Sequence, residues 1–268
     1  MKLKQDKILK IYFEKLKYFR YSDNTNKIYL YYVSEFLNTI RKNYKHITGN
    51  DFQDYLDNYS FSSSSQQNQI ISAIKFLYEK VLNRKYVKVN FKRPRKERKL
   101  PHIIDKDILK SKILSIDNLK HKAILSLAYS CGLRVSEVTN LKIEDIDSKR
   151  MLIAIKQTKG RKDRYVPLSN DLLEILRNYY LVYKPYEYLF NGQFSNKYSS
   201  TSCNKIIKKY ISYNAHMHQL RHNCFTHLLE NGTDLRVIQS IAGHKSSKTT
   251  EIYTHVSNNI LQNVQMPI

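Results

Sequence analysis

Acidic residues are scarce in this 268-residue chain, where 23 Asp and Glu stand against 46 Lys and Arg for a formal net charge of +23. That surplus exceeds what solubility needs and points to a polyanion, with nucleic acid favoured over an anionic membrane surface or merely solvated charge. Glycine is scarcer still. The six, Gly49, Gly132, Gly160, Gly192, Gly232 and Gly243, form neither GxxxxGK[ST] nor GxGxxG, which excludes a Walker-type nucleotide site and a Rossmann dinucleotide fingerprint. Cys131, Cys203 and Cys224 are odd in number, far apart and without a CxxC pair, so free thiols in a reducing compartment are expected. No apolar run approaches the ~18 residues that span a bilayer. The opening stretch MKLKQDKILKIYFEKLKYF interleaves Lys with apolar residues and lacks a cleavage pattern, so it does not read as a signal peptide. A cytoplasmic protein without a membrane partner is the expectation.

What is present fills two domains, since 41% hydrophobic residues can supply a core to each. Residues 1–91 read as a helical bundle. Ile8, Tyr12, Leu16 and Phe19 share one helical face, as do Tyr29, Val33, Phe36, Leu37 and Ile40, and again Ile70, Ile74, Leu77, Tyr78 and Val81. Thr48 and Asp51 form a weak capping-box signal ahead of Phe52, Tyr55 and Leu56, and Ser62 to Ser65 reads as a loop. Apolar periodicity then stops across 92–101. Lys92, Arg93, Arg95, Lys96, Arg98 and Lys99 fall there between Pro94 and Pro101 or beside them, a linker whose single-sign charge suits a nucleic-acid backbone.

Residues 102–268 are mixed, mainly α with a small β-sheet. Helical patterns cover 105–115, 120–130, 135–141, 171–183, 201–211, 219–231, 235–242 and 249–255, with Gly132, Gly232 and Gly243 placed as helix stops. MLIAIKQTKGRKDRYVPL holds two β-prone runs around a polar turn with Lys159 and Gly160, which predicts a hairpin.

The segment from His218 to His255 concentrates chemistry. His216, His218, His222, Cys224 and His227 offer soft donors, yet Gln219 stands where a zinc protease carries Glu, and no second Cys/His pair follows at finger spacing. Metal is therefore not expected, and His216, His222, Cys224 and His227 read as structural. A phosphate reading uses other residues: His218 and Arg221 at i, i+3 project an imidazole and a guanidinium fork together, His244 follows Gly243 at a helix end, and Tyr253 comes nine residues later.

The boxes CGLRVSEVTNLKIEDID, TKGRKDRYVPL, HQLRH and AGHKSSKTTEIYTH, in that order, resemble the signature boxes of the tyrosine recombinase/integrase family, the Xer-like, phage and integron integrases. SDNTNKIYLYYVSEFL and SSSSQQNQIISAIKFLYEKV resemble that family's helical core-binding domain. The resemblance implies a two-domain DNA clamp with a core-binding and a catalytic domain. It further implies that Arg134 and Arg221 hold the scissile phosphate, Lys159 protonates the departing 5′ oxygen, His218 and His244 bind phosphate and move protons, and Tyr253 attacks phosphorus. Glu137 matches a supporting acidic position. The implied reaction is site-specific recombination of double-stranded DNA through a 3′-phosphotyrosyl intermediate and a Holliday junction, without cofactor, metal or ATP. It is carried by a homotetramer on synapsed sites that is monomeric or dimeric beforehand. No arm-binding domain is expected. Met217 replaces a frequent Pro, which should unsettle the start of its helix. Val256, Ile260, Leu261 and Val264 make an apolar stripe that would dock on a neighbouring protomer or on its own domain. A covalent intermediate conserves ester energy, consistent with the missing nucleotide fingerprint. Two alternatives stay open: a non-catalytic architectural DNA-binding protein on this fold, and type IB topoisomerase-like relaxation.

Overall fold

Ile8, Tyr12 and Leu16 recur at helical spacing, and in the computed structural model they line the buried side of α1 (Lys2–Tyr18). The structure describes residues 2–84, 93–94, 102–156, 163–244, 249–250 and 253. Phe19 departs from its expected place on that face and stays 45% exposed. The helix ends at Tyr18 and Arg20 turns left-handed at φ 56°, so Phe19 leaves the helical register and meets Phe76 edge-on at 5.7 Å. The chain forms two compact units, Met1–Arg98 and Lys99–Ile268, each with its own core.

In the first unit α2 (Asp23–Ile40) starts from a Ser22 side chain that accepts the Thr25 amide, and it buries Val33, Phe36 and Leu37. The expected capping box is formed at α3 (Gly49–Asp57): the Thr48 hydroxyl accepts the Asp51 amide while the Asp51 carboxylate accepts the Thr48 amide. Part of the serine run is helix rather than loop, because Ser63 caps α4 (Ser64–Phe76) and serines tolerate a first turn. A π-helical turn, Leu77–Val81, continues it. Phe36 stacks on Phe52 at 4.6 Å, and the buried Tyr12 hydroxyl donates to the Ala73 carbonyl at 3.0 Å.

The second unit is built around α6 (Leu119–Ser130), where Ala123, Ile124, Leu125, Leu127 and Ala128 are buried on more than one side. Around it lie α5 (Lys106–Leu114), α7 (Val135–Asn140), α8 (Asn170–Tyr183), α9 (Ser200–Tyr210), α10 (Met217–Glu230) and α11 (Leu235–Ala242). The helical expectations match these elements within the usual fraying of ends, while of 249–255 only Thr249, Thr250 and Tyr253 are described. The hairpin is present as β2 (Leu152–Ile155) and β3 (Arg164–Pro167), antiparallel with Ile153 opposite Val166. Periodicity missed a third strand, β1 (Ile146–Asp147), which pairs with β2 but is too short to show alternation. No described helix is long and apolar enough to cross a membrane.

Residues 102–104 are laced to one stripe of α10. The Gln219 amide donates to the His102 carbonyl at 3.1 Å, Asn223 Oδ1 accepts the Ile104 amide at 2.7 Å, and His227 Nε2 meets the Ile104 carbonyl at 3.0 Å. That carbonyl only accepts, so His227 Nε2 carries the proton and its Nδ1 accepts from the Tyr129 hydroxyl at 2.7 Å. His227 is thereby structural. The N–H of Met217, which a proline would lack, donates to Asn204 Oδ1 at 3.1 Å, so α10 starts regularly despite the departure from Pro.

Gly132 ends α6 at φ +57°, and a Cβ there would lie 2.6 Å from the buried Phe225 ring. Gly132→Ala combines left-handed strain with overpacking, and its expected cost is roughly 2–4 kcal/mol. A denaturant midpoint unchanged from wild type would show that the corner relaxes freely.

Candidate active site

Among the described residues of the second unit Arg221 is the most buried charge, with 0% exposure in the second turn of α10. A buried guanidinium needs partners. Its Nη1 donates to the Gly132 carbonyl at 2.6 Å, and its Nη2 donates to the Ala242 carbonyl at 2.5 Å. Ala242 is the last residue of α11, where carbonyls lack helical partners and the macrodipole favours a cation. The Phe225 ring lies 4.7 Å beneath the guanidinium. Burial, and then the Arg134 charge, lower the Arg221 pKa to about 10, which leaves it charged at neutral pH.

Arg221 Nη2 also reaches His244 Nε2 at 3.1 Å. Guanidinium only donates, so Nε2 is the acceptor and Nδ1 bears the proton, directed at Thr250 Oγ1 3.0 Å away. Burial and then the charges of Arg221, Arg134 and Arg164 push His244 down to about 4. It is a neutral imidazole near pH 7.

Glu137 is the hub. It reaches back to the Arg134 amide at 2.9 Å, accepts Arg134 Nη1 at 2.9 Å, and lies 3.9 Å from Arg221 Nη1. Arg164 grips it with two more bonds, at 3.0 and 2.8 Å. Burial alone would raise this carboxyl, but the hydrogen bonds and charge of Arg164, with those of Arg134, hold it at about 2. Arg134, at the N-cap of α7, keeps a side chain that is 24% exposed and able to face a ligand.

Tyr253 is buried and packs against α10, its ring 5.5 Å from Phe225 and 5.7 Å from His222. Burial raises its phenol to about 12, although Arg221 and Arg134 pull the other way. Desolvation thus outweighs the nearby positive charge that favours phenoxide. His218 is exposed in the first turn of α10, and partial desolvation with the Arg221 charge lowers its pKa. His218 meets His222 edge to face at 4.5 Å, so His222 lies between His218 and Tyr253, with a buried Nδ1 that no described residue satisfies.

The structure therefore brings together Arg134, Glu137, Arg221, His244 and Tyr253, with His218 adjoining through His222. Lys159 lies outside the described residues, as do Lys92, Arg95, Lys96, Arg98, Lys99 and the apolar stripe 256–264. Arg93 is described, and it spends donors on Asn68 Oδ1 and Ser72 Oγ of α4. Among the described residues no group of three or more His, Cys, Asp or Glu is placed to hold a metal. His227 has both nitrogens engaged, and burial raises the Cys224 thiol to about 12.

Sequence reasoning missed Arg164. It is buried on β3, and besides Glu137 it holds the Ile241 carbonyl through Nε at 2.6 Å. Gly243, at φ +61°, lies against it, where a Cβ would come within 3.1 Å of Arg164 Cδ. One signal was available: strand alternation puts Arg164 on the same face as buried Val166, with exposed Tyr165 between them.

Residues 93–259 match the model of the phage integrase family, and residues 8–88 match the phage integrase N-terminal SAM-like domain. The chain belongs to the phage integrase family. This integrase is 36% identical over 251 residues to the tyrosine recombinase XerA of Pyrococcus horikoshii, covering 90% of this chain and 86% of that protein. It is 33% identical over 216 residues to the tyrosine recombinase XerD of Staphylococcus epidermidis, covering 73% of each. A crystal structure of XerA recombinase is 30% identical, with 96% of both chains covered and a TM-score of 0.57. The fold is also that of XerH site-specific recombinase bound to palindromic difH substrate, with a TM-score of 0.71 at 23% identity over 89% of this chain and 77% of that one. The integrase is accordingly a tyrosine-type site-specific recombinase, mainly α with a small sheet. Neither the architectural nor the topoisomerase alternative is favoured by these likenesses.

Proposed function

We propose that this recombinase cuts and rejoins double-stranded DNA with Tyr253 as nucleophile. Its phenolic oxygen forms a bond to phosphorus as the bond to the 5′ oxygen breaks, leaving a 3′-phosphotyrosyl enzyme and a 5′-hydroxyl. Arg134 and Arg221 neutralise the charge that builds on the non-bridging oxygens, a task suited to guanidinium forks fixed in advance. His218 and His244 bind phosphate and help transfer protons as rings that their lowered pKa values keep neutral. Lys159 returns a proton to the 5′ oxygen. Glu137 orients the arginines.

The observation that carries this reading is the set of Arg134, Glu137, Arg221 and His244, joined by hydrogen bonds and the Glu137–Arg221 ion pair and drawn from three separate helical segments, with Tyr253 buried against the same α10. Rejoining by the reverse path lets two cut sites exchange strands through a Holliday junction, in a homotetramer assembled from monomers or dimers. Residues 1–91 and 102–268 would clasp the duplex as two domains, with the basic residues of 92–101 along its backbone. The cellular place would be the cytoplasm, at the nucleoid when bound.

The test uses a pool of nicked duplexes of random sequence. Loss of the short 5′ fragment prevents religation, so the protein should stay on DNA through denaturation, with phosphotyrosine released on acid hydrolysis and no effect of a chelator. Retention through another residue, or none at any sequence, would overturn the reading. Relaxation of supercoils without joining of two sites would favour the topoisomerase alternative.

A further inference from the structure

Three arginines surround Glu137, and the proposed reaction uses only two of them. Arg164 is buried, its two terminal nitrogens both go to Glu137, and its Nε goes to the Ile241 carbonyl. All three of its nitrogens are thus engaged in fixing protein groups, each terminal nitrogen keeping one further N–H. Two consequences follow from where those bonds end. First, both carboxylate oxygens of Glu137 are occupied by Arg164, so Glu137 remains neutralised and fixed when Arg134 turns toward a ligand. Second, Ile241 precedes Ala242, whose carbonyl holds Arg221, and Gly243–His244 follow immediately. Arg164 thus ties β3 to the corner that aligns Arg221 and presents His244.

We propose that Arg164 is a positioning residue for strand cleavage, acting through Glu137 and the Ile241 carbonyl to free Arg134 for the phosphate and to fix the Arg221–His244 pair. This rests on the reaction proposed above. A guanidinium is needed because a lysine ammonium cannot span a carboxylate and a separate carbonyl with planar forks. Bare glycine at 243 has the same explanation, since the corner must close directly on the Arg164 side chain.

Among the described residues the charged groups that meet Glu137 are Arg134 on its own helix, Arg164 on β3 and Arg221 on α10, and Arg221 in turn bonds His244 after α11. With Arg164 gone, the carboxyl loses its largest stabilising partner, so its protonation should enter the accessible acid range. Single-turnover cleavage would then fail at a higher pH than in the wild type. A merely structural role predicts no such movement.

The experiment compares full-length wild type, Arg164→Lys, Glu137→Gln and the double variant Glu137→Gln/Arg164→Met on a nicked duplex recovered from the pool above. Arg164→Lys should slow single-turnover cleavage by about tenfold or more, keep DNA affinity within about twofold, and raise the acid limb of the pH profile. The double variant removes the charges of Glu137 and Arg164 together, so neither is left buried without the other, and it should fold even where loss of one alone prevents folding. Its loss of cleavage should be smaller than the two single losses combined, because the Glu137–Arg164 contact is lost in both, while the bond to the Ile241 carbonyl is lost only with Arg164. Cleavage by Arg164→Lys at the wild-type rate, a matching loss of DNA affinity, or additive losses in the double variant would overturn the proposal. Capture of the wild type on this duplex is the control, and its failure would sink the reaction instead.

Discussion

Tyr253→Phe should abolish covalent capture on a nicked duplex and leave DNA affinity within about twofold of wild type, because in the proposed reaction it deletes only the atom that would bond to phosphorus. The ring contacts with Phe225 and His222 are kept, and no described residue hydrogen-bonds the Tyr253 hydroxyl. With no described partner for that hydroxyl, its loss should cost little stability, and the melting temperature should hold. With the phenol raised to about 12, roughly one molecule in 10⁵ is ionised at pH 7. Proton removal must therefore accompany attack. Gel analysis after denaturation reads the result. Adducts formed by the Phe variant at the wild-type level would assign the nucleophile elsewhere.

Glu137→Ala should be the most destabilising substitution in the site, costing about 3–5 kcal/mol, because it leaves Arg164 and Arg221 buried beside a lost carboxylate. The same carboxyl sets an acid dependence. Its folded value of about 2 lies below the ordinary 4.5, so its contribution is full above that ordinary value and drains away as pH falls toward 2. The difference corresponds to about 3 kcal/mol. Glu137→Gln should lower the denaturant midpoint at pH 7 and flatten its decline between the ordinary and folded values. A Gln variant as acid-sensitive as wild type would place the acid response in other carboxylates.

Periodicity exposed most of the helices because amphipathic faces repeat whatever the tertiary setting. Val33, Phe36 and Leu37 are buried as their spacing requires, and Thr48 and Asp51 cap α3 by purely local bonds. The site was legible where a residue type announces its chemistry, as with Arg221 and His244, which meet at 3.1 Å across 23 positions. Arg164 was hidden because a charged residue in a strand reads as facing water, and its burial depends on a partner 27 positions away. His222 was read as structural, yet it intervenes between His218 and Tyr253, a relation set by the path of the chain after α11 and not by α10. Phe19 failed for a local reason, since one left-handed residue ended its register.

The lacing of residues 102–104 to Gln219, Asn223 and His227 fixes where a mechanical pull would arrive. Those three side chains recur every fourth residue, while Arg221 and Phe225 project from the opposite side of the same helix. A load arriving at residue 102 would therefore meet a row of hydrogen bonds on the far flank of α10. The helix behaves as a girder, loaded on one edge and carrying its reactive cation on the other.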